Sequence, residues 1–178
     1  IRAHAFELLG RQEADVLIEN FKKSYPKVVD ELIPDLLPFG TVVKVLQNLL
    51  KEQVSIRDLL TVFETLADDS TRTKDPEALT EYVRRALARS ISSRFMDDQG
   101  TVHVLSLGPY IEEQIANSLI QTEQGIQLVM DPHTANDMIM QISSTIDSHP
   151  EIAGQPVLMT SPTARRHIAK LTHRFIPQ

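Results

Sequence analysis

Two patterns in the 178-residue sequence predict an α plus α/β chain, a helical subdomain followed by a small, truncated three-stranded parallel α/β subdomain. Residues 1–96 carry apolar side chains almost wholly at helical spacing, whereas residues 100–178 alternate strand-like and helix-like segments. Between them Met96-Asp97-Asp98-Gln99-Gly100 is polar and ends in Gly, which marks the boundary. Residues 1–9 therefore read as the terminal helix of a preceding subdomain, 10–96 as the helical subdomain and 97–178 as the α/β subdomain, cut short at its C-terminus.

The helical elements can be taken in chain order. Ile1 to Leu9 form a helix end closed by Gly10 as a left-handed C-cap. Residues 11–24 place Ala14, Leu17, Ile18 and Phe21 on one face. Pro26 opens a short segment over 26–33, which Pro34 and Pro38 end. Thr41 begins the next helix, with Val42, Val45, Leu46 and Leu49 inward and Lys44, Asn48 and Lys51 as its polar stripe. Ser55 is the expected N-cap of a helix over 56–67, whose Ile56, Leu59, Leu60, Phe63, Leu66 and Ala67 fit the i, i+3, i+4 template. Asp75-Pro76-Glu77 supplies a cap, Pro at N1 and an acid in the first turn of a helix to about Phe95.

In the second half, residues 101–107 read as a strand ended by Gly108-Pro109, with a helix next at about 110–120. Ile126 to Met130 make a second strand, Pro132 opens a helix to about Ser148, and Pro156 to Thr160 make a third strand. Ser161-Pro162 then opens the last helix. This βαβαβα order implies a parallel sheet with right-handed crossovers. A start without Met, inside a helical pattern, suggests a piece of a longer chain.

Composition removes several function classes. There are 18 Lys+Arg against 24 Asp+Glu, a net charge of −6, which speaks against sequence-blind nucleic-acid binding. No Cys occurs, so no disulfide framework, thiolate metal site or thiol nucleophile is available. No apolar run approaches the ~18 residues of a membrane span, and Ile1-Arg2-Ala3-His4 lacks the order of a signal peptide. Phosphate-binding glycine loops and the G-x-S-x-G elbow are absent. The sequence calls for no cofactor and no enzymatic activity.

Individual candidates each have a structural and a functional reading. Ser161 at a strand-to-helix turn suits a nucleophile, but Ser-Pro is an ordinary cap and N1 pair, and we favour the cap. Asp131, His133 and Asp137 suit a metal, the last two four residues apart on a helix, but Asp131 is needed as a cap; the structural reading is preferred and no metal is expected. His103, between Val102 and Val104, points to the opposite strand face. Helices 41–52 and 56–67 mimic a helix-turn-helix, yet the outward residues of the second are Arg57, Asp58, Thr61, Glu64, Thr65, Asp68 and Asp69, a face a duplex repels. Two small basic surfaces remain: Arg84, Arg85 and Arg89 on helix 76–95, and Arg165, Arg166, Lys170 and Arg174 on the last helix.

Three long strings carry a family resemblance: His4-Ala5-Phe6-Glu7-Leu8-Leu9-Gly10-Arg11-Gln12-Glu13; Lys44-Val45-Leu46-Gln47-Asn48-Leu49-Leu50 with Val54-Ser55-Ile56-Arg57-Asp58 and Glu64-Thr65-Leu66-Ala67-Asp68; and Leu79-Thr80-Glu81-Tyr82-Val83-Arg84-Arg85-Ala86-Leu87-Ala88-Arg89. In order and spacing they resemble the cytosolic region of the FHIPEP family, the export-gate proteins of bacterial type III secretion. Beyond residue 100 the resemblance rests on element order, Thr122-Glu123-Gln124-Gly125 and Ser161-Pro162. It implies a full-length integral membrane protein whose cytosolic half forms a ring at the cytoplasmic face of the inner membrane. It also implies partners: export chaperones, chaperone–substrate complexes, sister subunits and other export-apparatus components. Nucleic acid is not among them, and this piece itself does not span the membrane. The strings at Gly10 and Val45 look flagellar; the alternatives are a virulence injectisome component and, in another class, a helix-turn-helix DNA-binding regulator. The resemblance implies that the helical subdomain supplies a cleft wall and neighbour contacts, for which Arg57, Asp58, Arg84, Arg85 and Arg89 are the candidates.

Overall fold

A computed structural model describes residues 5–122, 125–149 and 156–175. Two compact units divide the chain, one up to Arg94 and one from Phe95 onward. The first is helical: α1 (Ala5–Leu8), α2 (Arg11–Lys22), α3 (Pro26–Glu31), α4 (Phe39–Lys51), α5 (Leu59–Asp69), α6 (Pro76–Ala86) and α7 (Ala88–Ser92).

Its core is the apolar stripe of each helix turned inward. Ala14 and Ile18 of α2, Val42, Val45, Leu46 and Leu49 of α4, Val62, Phe63 and Leu66 of α5, and Leu79 and Val83 of α6 are all buried in one cluster. Phe21 tilts against Phe63 with ring centroids 5.2 Å apart, within the range of favourable aromatic pairs. Gln47 Nε2 donates to the Leu9 carbonyl at 2.8 Å, tying α4 to the end of α1.

Several boundaries differ from the expectations. Gly10 is not a left-handed C-cap: its φ of −75° and ψ of −177° are extended, and it is the N-cap of α2, its carbonyl accepting from Ala14 N at 3.0 Å. With α2 starting at once, the chain needs an extended residue there. α4 starts at Phe39, two residues before Thr41, because Pro38 (φ −59°) already occupies the cap position. The cap of α5 is Asp58, not Ser55; residues 55–58 are a turn in which Arg57 N donates to Ser55 Oγ at 3.4 Å. After α3 a turn over Leu32–Leu36 carries an extended Ile33 (φ −121°, ψ 124°), as expected for a residue crowded by a following proline. The helix expected over 76–95 is interrupted: α6 stops at Ala86, Leu87 takes φ −85° and ψ 8°, and α7 and a 3₁₀ turn over Ser93–Phe95 come after it.

The second unit contains β1 (Val104–Ser106), α8 (Pro109–Asn117), β2 (Leu119–Thr122), β3 (Gly125–Leu128), α9 (Pro132–Ser148), β4 (Val157–Met159) and α10 (Pro162–Phe175). It is a small α/β unit, but the expected three-stranded parallel sheet is corrected. Among the described residues β1 pairs only with β4, parallel, with Val104 opposite Val157. The segment after residue 125 pairs antiparallel with β2, Leu119 opposite Leu128. The reason is connection length. A parallel crossover takes a dozen or more residues, whereas two residues separate β2 from β3, and Leu119 and Ile120, read as the end of a helix, are strand. Ile115, Met138, Ile142, Ala164 and Ile168, from α8, α9 and α10, form this unit's core. The expected helix end at residues 1–4 lies outside the described residues.

A candidate contact surface on the helical unit

The five candidate residues sit at the start of α5 and along α6 and α7. Asp58 is held by its capping duty: one carboxylate oxygen accepts from Thr61 N at 3.1 Å and the other from Thr61 Oγ1 at 2.7 Å. Those bonds satisfy a backbone N–H that the first turn leaves without a helical partner. Arg57 beside it is exposed, and its guanidinium has no partner among the described residues.

α6 is launched by Asp75, whose carboxylate accepts from Glu77 N at 3.1 Å and Ala78 N at 3.3 Å. Helical spacing then divides the two arginines near its end. Arg84 does not point outward as expected. Its Nη1 lies 2.7 Å from Glu52 Oε2, with the two side chains only 18% and 29% exposed. One turn earlier Asn48 Nδ2 donates to Thr80 Oγ1 at 3.2 Å, so Asn48 and Glu52 face Thr80 and Arg84 in a polar seam between the end of α4 and α6. Arg85 is exposed, its guanidinium carbon 5.7 Å from the centroid of the Tyr82 ring, a cation–π distance.

The break at Leu87 sets the shape of the neighbouring surface. Leu87 stays buried while Arg89, Ser90 and Ser93 turn to the surface. With Ala86 and Asp58 they line an open hollow of ≈ 380 Å³. Arg89 forms no ion pair among the described residues, although Asp58 lines the same hollow. Sequence reasoning turns Leu87 inward, where it is found, but gives Ser90 and Ser93 no role. Nothing in the local sequence, neither Gly nor Pro, signals the interruption that brings them together with Asp58.

Asp131 Oδ2 accepts from His133 N at 3.0 Å and Thr134 N at 3.1 Å, capping α9. His133 Nδ1 lies 2.9 Å from Asp137 Oδ2 on an open surface, and no metal-holding cluster occurs among the described residues. Ser161 precedes Pro162, its carbonyl accepting from Ala164 N at 3.1 Å and its own N–H donating to Glu112 Oε1 at 2.8 Å. His103 precedes β1 rather than alternating within it, and its Nε2 lies 3.1 Å from Asp97 Oδ2. Asp97 also accepts from Thr101 N at 2.8 Å and Gln99 N at 2.9 Å. The Thr101 N–H foremost, and then His103, hold this carboxyl below its ordinary value.

On α5, Asp69 is buried and bridged to Arg72 at 3.1 Å rather than outward. Acids still outnumber bases across Arg57, Asp58, Glu64 and Asp68, all exposed, so the face remains unsuited to phosphates. On α10, Arg165 and Arg166 are half-buried, and Arg166 Nε donates to the buried His167 Nε2 at 3.1 Å. Only Lys170 of this group is exposed, and the Arg174 side chain lies outside the described residues.

The architecture is thus a packed helical unit and a small α/β unit. Over residues 1–178 the sequence matches the FHIPEP family, and the chain belongs to that family. Its relatives include the flagellar biosynthesis protein FlhA of Bacillus subtilis, 38% identical over 177 residues, which are 99% of this chain and 26% of that protein. The FlhA of Escherichia coli K12 is 34% identical over 178 residues, 100% of this chain and 25% of that protein. The chain therefore spans about a quarter of the length of these curated relatives. Among solved structures, nonameric EPEC SctV-C superposes with a TM-score of 0.87 at 34% identity, covering 99% of this chain and 52% of the other. The Chlamydia pneumoniae CdsV and CdsO protein complex matches with a TM-score of 0.84 at 34% identity, covering 98% and 51%.

Proposed function

We propose that this chain is cytosolic export-gate material of a flagellar type III secretion apparatus, working by binding alone. In this reading it docks export chaperones and their cargo and packs against sister subunits in a ring, at the cytoplasmic face of the inner membrane. The observation that carries it is the likeness of nearly the whole chain to nonameric EPEC SctV-C. The FlhA relatives support the flagellar branch, and the CdsV–CdsO complex supports contact with other export components. No helix of the described residues is long and apolar enough to cross a membrane, so in this reading any membrane part lies elsewhere in the full-length protein. Residues 10–96 would form the helical subdomain and 97–178 the α/β subdomain. Arg57, Asp58, Arg85 and Arg89 would meet partners, with Arg84 holding α6 to α4.

The test is charge reversal at Arg85 and Arg89 in the full-length protein, read by swimming motility and by capture of sister copies and export chaperones. Reduced motility with reduced capture of either partner is expected. Unchanged capture of both removes these residues from the contact surface. A second reading, an injectisome component, draws on the 34% identity to EPEC SctV-C, equal to that with E. coli FlhA. Complementation of a flagellar null strain against an injectisome null strain separates the two.

A further inference from the structure

We propose that residues 88–96 form a releasable strap. With the Arg94 guanidinium on the Gln53 carbonyl they are the last turns of the helical unit, and with that bond broken they become a tether leading into the α/β unit. Four observations carry the inference. First, α7 and the 3₁₀ turn after it span five and three residues and contain no buried side chain. Ile91 packs partly buried at the edge of the core, and helices this short do not hold themselves in water. Second, the break at Leu87 (φ −85°, ψ 8°) separates α7 from α6, so the strap can unwind without unwinding α6. Third, Arg94 Nη1 donates to the carbonyl of Gln53, 41 residues earlier. Fourth, order resumes at once beyond the strap: Asp97 N donates to the Thr101 carbonyl at 2.9 Å, and Thr101 N donates to Asp97 Oδ1 at 2.8 Å. Phe95 and the exposed Met96 separate that turn from Arg94.

The acceptor for Arg94 is fixed in place. Gln53 takes a left-handed φ of 57° just past α4. Its own N–H donates to the Leu50 carbonyl at 2.9 Å and Val54 N to the Leu49 carbonyl at 2.8 Å, which closes the helix end around it. The carbonyl also lies at the negative end of α4, where a guanidinium is favoured. Among the described residues, no buried side chain of the helical core comes after Leu87. Releasing the strap therefore leaves that core packed. With so little burial of its own, the strap is decided between its two states by one charge-assisted bond.

The experiment compares the 178-residue chain with its Arg94→Ala variant by amide exchange and by the rate of trypsin cleavage after Arg89. Ala is the better helix former, so propensity alone would slow exchange in the strap. Release should instead speed it: the amides of Ile91 and Ser93, bonded to the carbonyls of Leu87 and Arg89, should exchange about tenfold faster. Cleavage after Arg89 should quicken with them. Amides of α4, α5 and the Asp97 turn should be unchanged. Gln53→Gly keeps the carbonyl and relieves the left-handed backbone, so the strap should stay protected. Arg89→Ala removes a neighbouring charge, leaves Arg94 in place and should not speed exchange. Unchanged exchange at Ile91 and Ser93 in Arg94→Ala overturns the proposal. So does equal acceleration in α4 and α5, which would make Arg94 a general support of the fold. Equal acceleration by Arg89→Ala would assign the effect to charge on α7 and overturns it as well. The export-gate reading stands or falls separately, since none of these measurements involves a partner.

Discussion

At the scale of single residues, three aspartates set where helices begin, and a fourth sets a turn. Asp58, Asp75 and Asp131 each accept from backbone N–H groups in a first turn. Asp58 also holds the hydroxyl of Thr61 at 2.7 Å. Asp58→Ala should therefore cost about 1 kcal/mol, and Asp58→Asn only a few tenths, measured by urea unfolding; equal losses would show that charge rather than the cap matters. Asp97 gathers its turn through Thr101 N, Gln99 N and His103. Because its carboxyl is held low, its contribution to the turn is fully present above the ordinary carboxylate range and is lost as pH falls through the lowered value. In a carbon-detected titration its midpoint should lie below 3.8, the ordinary value, and should move part of the way up in His103→Ala. A midpoint that ignores His103 would leave the backbone donors as the sole cause.

At the scale of elements, legibility depends on how local the cause is. The inward stripes of α2, α4, α5 and α6 are readable because burial repeats with the helical period, and the Asp-Pro starts of α6 and α9 because their caps lie next to the helix they begin. The break at Leu87 and the hairpin of β2 and β3 are not, since neither has a Gly or Pro signature of its own beyond Gly125. Likewise Arg57, Arg85 and Arg89 are readable as exposed positions, while Arg84 is not, because its partner Glu52 comes from the end of another helix. The hollow escapes the sequence for the same reason: packing alone brings Asp58 and Arg89 to line it. The seam of α4 and α6 can be tested as an element. Glu52→Ala leaves Arg84 partly buried without this carboxylate, and should cost about 1–3 kcal/mol. Arg84→Met, which keeps the packing stem, should cost less than Arg84→Ala. Equal costs for these two would assign the seam's stability to charge alone.

At the scale of the whole molecule, the two units differ in how much apolar surface stabilises them. Among the described residues the helical unit buries nineteen hydrophobic side chains in one cluster, and the α/β unit five in its own. Conformational entropy opposes folding in proportion to chain length, and the units are of similar length, so the smaller described cluster predicts a less stable α/β unit. Amides of α8 and α9 should therefore exchange by opening at lower free energy than those of α4 and α5. Removing a core side chain tests whether the units open independently. Phe63→Ala, at a position of 0% exposure, should cost about 3–5 kcal/mol and speed exchange in α4 and α5 while leaving α9 unaltered. Ile115→Ala, also at 0%, should do the reverse. If either substitution speeds exchange equally in both halves, the units open as one cooperative body, and the division at Arg94 and Phe95 marks compactness without independent stability.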